Sequence, residues 1–541
     1  MTPNDTAGEN ASYRYLSTRG GDVGLTISSL CQFSFEEVVL NTIAPDGGLY
    51  IPEEIPCAAS WESWGDLSFP EVAFEIMSLY ISPSEIPPAD LKDIIARSYS
   101  TFRSPEITPL VHLNGNHYLL ELFHGPTFAS KDIASQFLGN LLEYFLVRKN
   151  EGKASTAERH RLTFVGATRG DAGSAAIYGL RGKRDISAFV MFPQGQVAPV
   201  QEAQISTVPD KNVSSLAVAG TFGDCQNILS ALYADRQANE DFDLVSSKNW
   251  AQILAQIVLY FYSYFALTKT SKSASFKPGD RVRFVVPTGK FGSILAGYFA
   301  LRMGLPIDKL VIATNENDIL DRFWRTGRYE KQRASRHGLG SGHGPGLGVK
   351  HTLSPAMDIL TSHNFERLLW FLAYEFVAVS AGMDRLWNQK QASQEVSQWF
   401  QELEKKGSFG PVYRDVIRGA RRDFESERVT DEQTIETIRA IYRKSGYILD
   451  PHSAVGAAAT ERSVSRAHAN IPHISFSTAH PAKFAETVVK ALQGEDGFSV
   501  ETELRPAEFV ELGKRERRVT VVENDWQKVR ELIKARSDDG V

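Results

Sequence analysis

Cysteine is scarce in this chain. Among 541 residues there are three, Cys31, Cys57 and Cys225, far apart and with no CxxC pair. That spacing excludes a sequence-evident disulfide framework or zinc site and fits a reducing compartment. Excess charge is scarce too: a formal net charge of −6 on so long a chain gives no electrostatic reason to expect nucleic acid or an anionic membrane as a partner. No apolar run reads as long enough to cross a bilayer, the strongest candidate being Leu368 to Val379, which is short and broken by Glu375. The stretch Met1 to Ser12 is polar and has neither an apolar signal core nor arginines, so it reads as a disordered tail. What is present is an ordinary soluble composition, 42% hydrophobic and 23% charged, on a chain too long for one compact core. The expectation is a cytoplasmic protein of two or more domains, monomer or homodimer, acting on a small molecule.

One stretch organises the rest. Tyr118 to Phe123 is a short apolar run of strand type, Gly125 and Pro126 break the chain, and apolar residues then recur at Ile133, Phe137, Leu141 and Phe145 with helical spacing. Lys131 is therefore expected on the loop where a strand hands over to a helix, near that helix's N-terminus. A lysine suits the opposite end of a helix, where the dipole is negative. Here the positive end and apolar neighbours both disfavour the ammonium form and expose a neutral amine, which is what a Schiff-base enzyme needs. The plain alternative is a solvated lysine near a helix start.

Three further strand–loop–helix handovers follow: Arg161–Thr168 with the loop Arg169–Gly173, Val282–Pro287 with the loop Thr288–Ser293, and His473–Thr478 before Ala479–Lys483. Strand-like runs at Ile186–Phe192, Leu216–Ala219 and Leu310–Ala313 alternate with helical patterns. Such alternation predicts an α/β architecture with a largely parallel sheet and ligands at the loops leaving strand C-termini. The loop Thr288–Ser293 is the better phosphate cradle, with backbone N–H groups at a helix start and Thr288 and Ser293 as extra donors; neither Gly-containing loop has P-loop or dinucleotide spacing. Between Arg333 and Gly348 a Gly-rich segment carries His337 and His343, a surface loop without the acidic or thiol partners a metal would want, so no metal is expected. From Phe365 to Lys444 the pattern is mostly helical, with a capping box at Thr430–Gln433 and an apolar stripe, Leu368, Phe371, Leu372 and Phe376, expected in a core. The segment from Glu503 is charged, with one strand-like run, Arg518–Val522.

Taken together, the stretches Ser17–Gly20, Asp46–Tyr50, His124–Asp132, Gly170–Asp171, Gly173–Gly182, Val286–Gly289, Ala313–Leu320, Leu353–Asp358, Leu449–His452 and Ser477–Lys483 resemble threonine synthase of the longer fungal type. The resemblance runs in order along nearly the whole chain. It implies a fold-type II pyridoxal-phosphate enzyme, tryptophan synthase β-like in architecture, with an N-terminal domain and an inserted helical subdomain. It implies the segmentation 1–12 tail, 13–102 N-terminal domain, 103–332 cofactor-binding α/β core, 333–349 Gly-rich loop, 350–445 helical insertion, 446–502 return to the core and 503–541 C-terminal segment. It implies that Lys131 carries pyridoxal 5'-phosphate as a Schiff base and is the catalytic base. By the same resemblance Gly289, Lys290, Phe291, Gly292 and Ser293 hold the cofactor phosphate and Thr478 meets the pyridine nitrogen. Family members convert O-phospho-L-homoserine and water to L-threonine and phosphate.

The site loops depart from the family pattern. Where the family has Thr-Ser-Gly-Asp-Thr-Gly, this chain has Thr168, Arg169, Gly170, Asp171, Ala172 and Gly173; Gly-Asn-Phe-Gly-Asp is replaced by Gly289–Ser293, and Ser130 stands where the family has Phe. The motif Asn-Ser-Ile-Asn with an arginine beyond it is replaced by Ser246, Ser247, Lys248, Asn249 and, at the arginine position, Gln252, which cannot supply a bidentate charged contact. The expected substrate-binding set is thus Thr168, Arg169, Gly170, Asp171, Ala172, Ser247, Lys248, Asn249 and Gln252. Random decay would strike scaffold and site alike, whereas here the scaffold motifs persist. Three readings stay open: a working threonine synthase, a diverged paralogue of specialised metabolism eliminating or replacing groups on another anionic amino acid, and a non-catalytic paralogue.

Overall fold

The computed structural model describes residues 13–20, 32–153, 159–235, 244–245, 248–270, 276–331, 348–378, 384–468 and 471–539. The tail 1–12, Ser247 and the Gly-rich segment with His337 and His343 lie outside the described residues.

Two sheets carry the handovers. The larger has the strand order Phe424–Arg428, Ile307–Thr314, Val282–Pro287, His473–Ser477, His117–Glu121, Leu110–Asn114. All its neighbours run parallel except the last pair. The second is wholly parallel, in the order Thr520–Val522, Val213–Val218, Ile186–Pro193, Leu162–Ala167, Leu244–Val245. Helices cover the faces, as parallel strands require, so Ile186–Pro193 is buried along its entire length. One continuous core joins the two sheets through the helices Lys131–Lys149 and Trp250–Lys269, with Phe164 and Ala188 from one sheet and Phe284 and Ile474 from the other. Parallel strands leave their C-terminal loops at one end, where Lys131 and the loops after Ala167, Pro287 and Ser477 emerge.

Trp250–Lys269 corrects the reading of apolar runs. Among the described residues it is the one helix long and apolar enough, by length and composition, to cross a membrane, but 72% of its apolar window is buried as core. The expected stripe is core as well, with Leu368 and Leu372 inaccessible on the helix Phe365–Ala373. Within the mostly helical region the charged run Phe424–Arg428 is a strand at the edge of the larger sheet, where half-exposed polar side chains belong. The capping box at Thr430 is formed. The C-terminal segment adds Thr520–Val522 to the second sheet and packs Val529 and Ile533 on Cys225, Ile228 and Leu232.

Candidate active site

Lys131 is the first residue of the helix Lys131–Lys149, whose Ile133, Phe137, Leu141 and Phe145 are all inaccessible. It lines a cleft of about 1080 Å³, counted out to the mouth, together with Ala172, Asn249, Gln252 and the loop Gly289–Ser293. The cleft walls are otherwise apolar or neutral, and none of the lining residues is an aspartate or glutamate. Lys131 keeps accessible surface on the cleft side, but the protein crowds it elsewhere, and burial lowers the affinity of its amine for a proton; Asp171 opposes that push.

The loop after Val282–Pro287 is rigid by construction. Phe291 holds a left-handed backbone (φ 67°), rare for a side chain of its size, and is kept there by burial against Trp324, Phe365 and Phe424. It precedes the helix Gly292–Arg302, whose first N–H groups have no partner inside the helix and suit an anion. Gly289 passes so close to the backbone of Ala356 and Met357 that a Cβ would sit 3.1 Å from a carbonyl oxygen. Ser362 donates to the Gly289 carbonyl (2.5 Å), and Asn364 donates to the Lys290 carbonyl through its side chain (3.1 Å) and its N–H (3.2 Å). The hydroxyls expected as extra donors are turned inward: Thr288 donates to the Val286 carbonyl (2.6 Å) and Ser293 to the Gln256 side chain (2.6 Å). Backbone N–H groups and the Lys290 amine are left as the donors of this loop.

Behind the loop stands Arg367, fully buried, a residue that sequence reasoning missed. Its guanidinium donates to the carbonyls of Tyr50 (2.8 Å) and Lys248 (2.9 Å) and to the Asn364 side chain. It thereby ties the N-terminal region, the Lys248 segment and the Gly289–Ser293 loop into one unit, and burial pushes its pKa down to about 9. Its neighbour Glu366 accepts from Thr18 (2.6 Å) and pairs with Arg19 (3.1 Å), which ties the Ser17–Gly20 stretch to the same helix. A charged pair inside an apolar helix is the signal that could have found them.

The loop Thr168–Gly173 behaves differently from expectation. Of its candidates only Ala172 lines the cleft. Thr168 closes the turn by accepting from the N–H groups of Gly170 and Gly173 (both 2.9 Å), and Gly170 holds a φ of 143° that side chains rarely adopt, where a Cβ would also meet Gln201 at 2.2 Å. Arg169 faces away, paired with Asp358 (3.6 Å) and lying over the Phe222 ring (4.7 Å), so its charge is held outside the cleft. Asp171 pairs with Lys483 (2.7 Å), a fully buried lysine that also donates to the Thr127 carbonyl (2.7 Å) beside Lys131. Burial opposes the Asp171 charge, but Lys483, with His452 and Lys131, holds the carboxyl below its ordinary range.

Thr478 is not among the cleft-lining residues; its carbonyl accepts from the Ser130 N–H (2.8 Å), next to Lys131, and its N–H donates to Ser453 (2.9 Å). Ser453 donates to Asp450, whose other oxygen meets His452 (2.8 Å), and His452 accepts from the Ala356 N–H (3.0 Å). This buried relay fixes Thr478 relative to the backbone behind Gly289. Lys248 is half-buried, with burial lowering its pKa and Glu366 opposing. The donor set fits a phosphorylated aldehyde such as pyridoxal phosphate: an amine of lowered basicity for the aldehyde and N–H groups at a helix start for the phosphate.

The family model "Threonine synthase N terminus" matches residues 14–99 and "Threonine synthase, C-terminal" matches 453–533. The threonine synthase of Saccharomyces cerevisiae is 50% identical over 528 residues, 95% of this chain and 96% of that one. The crystal structure of threonine synthase from yeast superposes with a TM-score of 0.87 at 49% identity, covering 98% of this chain and all of that one. That of PLP-bound threonine synthase from Brucella melitensis gives 0.81 at 36% identity, covering 97% and 100%. The fold is accordingly that of the fold-type II enzymes, and the chain belongs to the threonine synthase family.

Proposed function

We propose that this chain is a working threonine synthase, a lyase that takes O-phospho-L-homoserine and water to L-threonine and phosphate with pyridoxal 5'-phosphate as cofactor. The observation that carries the reading is Lys131 at the head of its helix, in one cleft with the rigid loop Gly289–Ser293. The cofactor, when bound, supplies an electron sink for the charge left at the substrate Cα. Lys131 would hold its aldehyde covalently, the N–H groups of the Gly289–Ser293 loop would hold its phosphate, and Thr478 would meet its ring nitrogen. Once released by incoming substrate, the Lys131 amine takes the Cα proton, a task its lowered basicity suits. The apolar wall formed by Leu138, Leu142 and Phe164 limits bulk water in the cleft. An amino acid is the small-molecule partner, and we place the reaction in the cytoplasm, in keeping with the scarcity of cysteine.

Two measurements test this. Borohydride reduction of the cofactor-saturated protein, followed by digestion and mass spectrometry, should leave the pyridoxyl adduct on Lys131. Incubation with O-phospho-L-homoserine should release phosphate and threonine in equal amounts. An adduct elsewhere, or no threonine, would overturn the proposal.

A further inference from the structure

The cleft carries two amines and no carboxylate among its lining residues. One amine, Lys131, is taken up by the cofactor in the reading above. The other, Lys290, remains. It is open to the cleft, and among the described residues nothing pairs with its ammonium, while its backbone is pinned through Asn364 and Arg367. Burial pushes it down to about 8, with Lys131 and then Lys248 contributing, so the three amines share one field. His363 keeps accessible surface, yet crowding by the protein and the nearby Lys248 and Lys290 push it down, so it adds no charge at neutral pH. The facing wall is polar but uncharged: Gln252 accepts from Gln256 through its carbonyl (2.7 Å), and Gln256 accepts from Ser293 (2.6 Å). The nearby carboxylates are engaged elsewhere, Asp171 with Lys483 and Glu366 with Arg19 and Thr18. Such a cleft favours two anions, and the cofactor brings one of them.

We infer that Lys290 is a specificity-determining residue whose ammonium seats the anionic group on the substrate side chain, in the charge role left open by Gln252. This rests on the function proposed above and names the group that selects the substrate: an L-amino acid with a side-chain phosphate, or another compact oxyanion in its place. An ammonium placed there also stabilises the charge gathering on the leaving phosphate. The step remains balanced as in the parent reaction: the Cγ–O bond breaks with its electron pair leaving on phosphate, and water supplies the hydroxyl and a proton.

The test uses cofactor-saturated protein, the variants Lys290→Gln and Lys290→Arg, and inorganic phosphate as the competing probe. Lys290→Gln should retain cofactor and the Lys131 adduct, yet raise the inhibition constant for inorganic phosphate about tenfold to a hundredfold, the loss of one charge-assisted hydrogen bond. Lys290→Arg should restore most of that loss. Binding of L-2-aminobutyrate, which has no side-chain anion, should change less than about twofold in Lys290→Gln. In the wild type, phosphate inhibition should weaken as pH rises into the range where this amine loses its proton, a range that burial moves below that of an ordinary lysine. If Lys290→Gln instead loses cofactor while phosphate inhibition is unchanged, the amine serves the cofactor and the inference fails. It fails equally if neither moves. Should Lys290→Gln not fold, Gln252→Arg is the second variant: with Lys290 in the role assigned, a second cation across the cleft should tighten phosphate inhibition, and no change would count against it. A wild-type protein lacking the Lys131 adduct would sink the functional reading itself, a separate result.

Discussion

The pair Asp171–Lys483 gives the sharpest prediction. Lys483 has no accessible side-chain surface, sits 2.7 Å from the Asp171 carboxylate, and donates at 2.7 Å to the Thr127 carbonyl in the loop leading to Lys131. Lys483→Met removes the ammonium and leaves the Asp171 carboxylate with only the Gln201 amide (3.0 Å) and the Thr127 carbonyl with only the Gln204 amide (3.0 Å). Breaking a buried pair from one side costs about 3–5 kcal/mol. The Thr127 carbonyl keeps its bond from Gln204, so it adds little, and the Gln201 amide shares the Asp171 charge. The total should sit near the lower end of the pair cost. Removing both charges with Asp171→Asn and Lys483→Met together should cost less than the sum of the single changes, with a coupling of about 1–3 kcal/mol. The assay is urea denaturation followed by tryptophan fluorescence across pH. In the wild type the Asp171 carboxyl is held below its ordinary value, so its contribution is complete above the ordinary carboxylate range and is lost as pH falls through the depressed pKa. Without Lys483, burial prevails, the carboxyl titrates higher, and acid destabilisation should begin at higher pH. Additive single changes with an unmoved acid limb would refute the reasoning.

Other outcomes follow from the same geometry. Lys131→Ala should abolish the cofactor–lysine absorbance and threonine formation while leaving the folded far-UV signal intact; retained turnover would contradict its role. Arg367→Met removes the donor to the carbonyls of Tyr50 and Lys248 and should destabilise by about 3 kcal/mol, with Arg367→Lys recovering part, read by thermal denaturation and cofactor retention. Gly170→Ala should cost at least about 1–3 kcal/mol, because it strains a backbone at φ 143° and drives a Cβ into Gln201; an unchanged melting temperature would refute it.

Much of this was legible in the residues. The one-in-four apolar rhythm from Ile133 placed the helix and put Lys131 at its start, and the alternation of strands and helices gave the parallel sheets. What escaped depends on partners distant in sequence. Arg169 reads as an added cation until Asp358, far along the chain, turns it out of the cleft. Thr288 and Ser293 read as phosphate donors, but hydroxyls at a turn bond the nearest acceptor, here Val286 and Gln256. Phe424–Arg428 is charged enough to look helical, and only its place at a sheet edge makes it a strand. Trp250–Lys269 does not read as an apolar run because its tyrosines and glutamines interrupt it, yet packing against neighbouring helices and the larger sheet buries most of it.

The strand His473–Ser477 lies between His117–Glu121 and Val282–Pro287. A ribosome therefore delivers the wedge that joins these two strands long after both, at ordinary rates of translation by on the order of half a minute. Until then a nascent chain exposes two raw hydrogen-bonding edges in the half that bears Lys131.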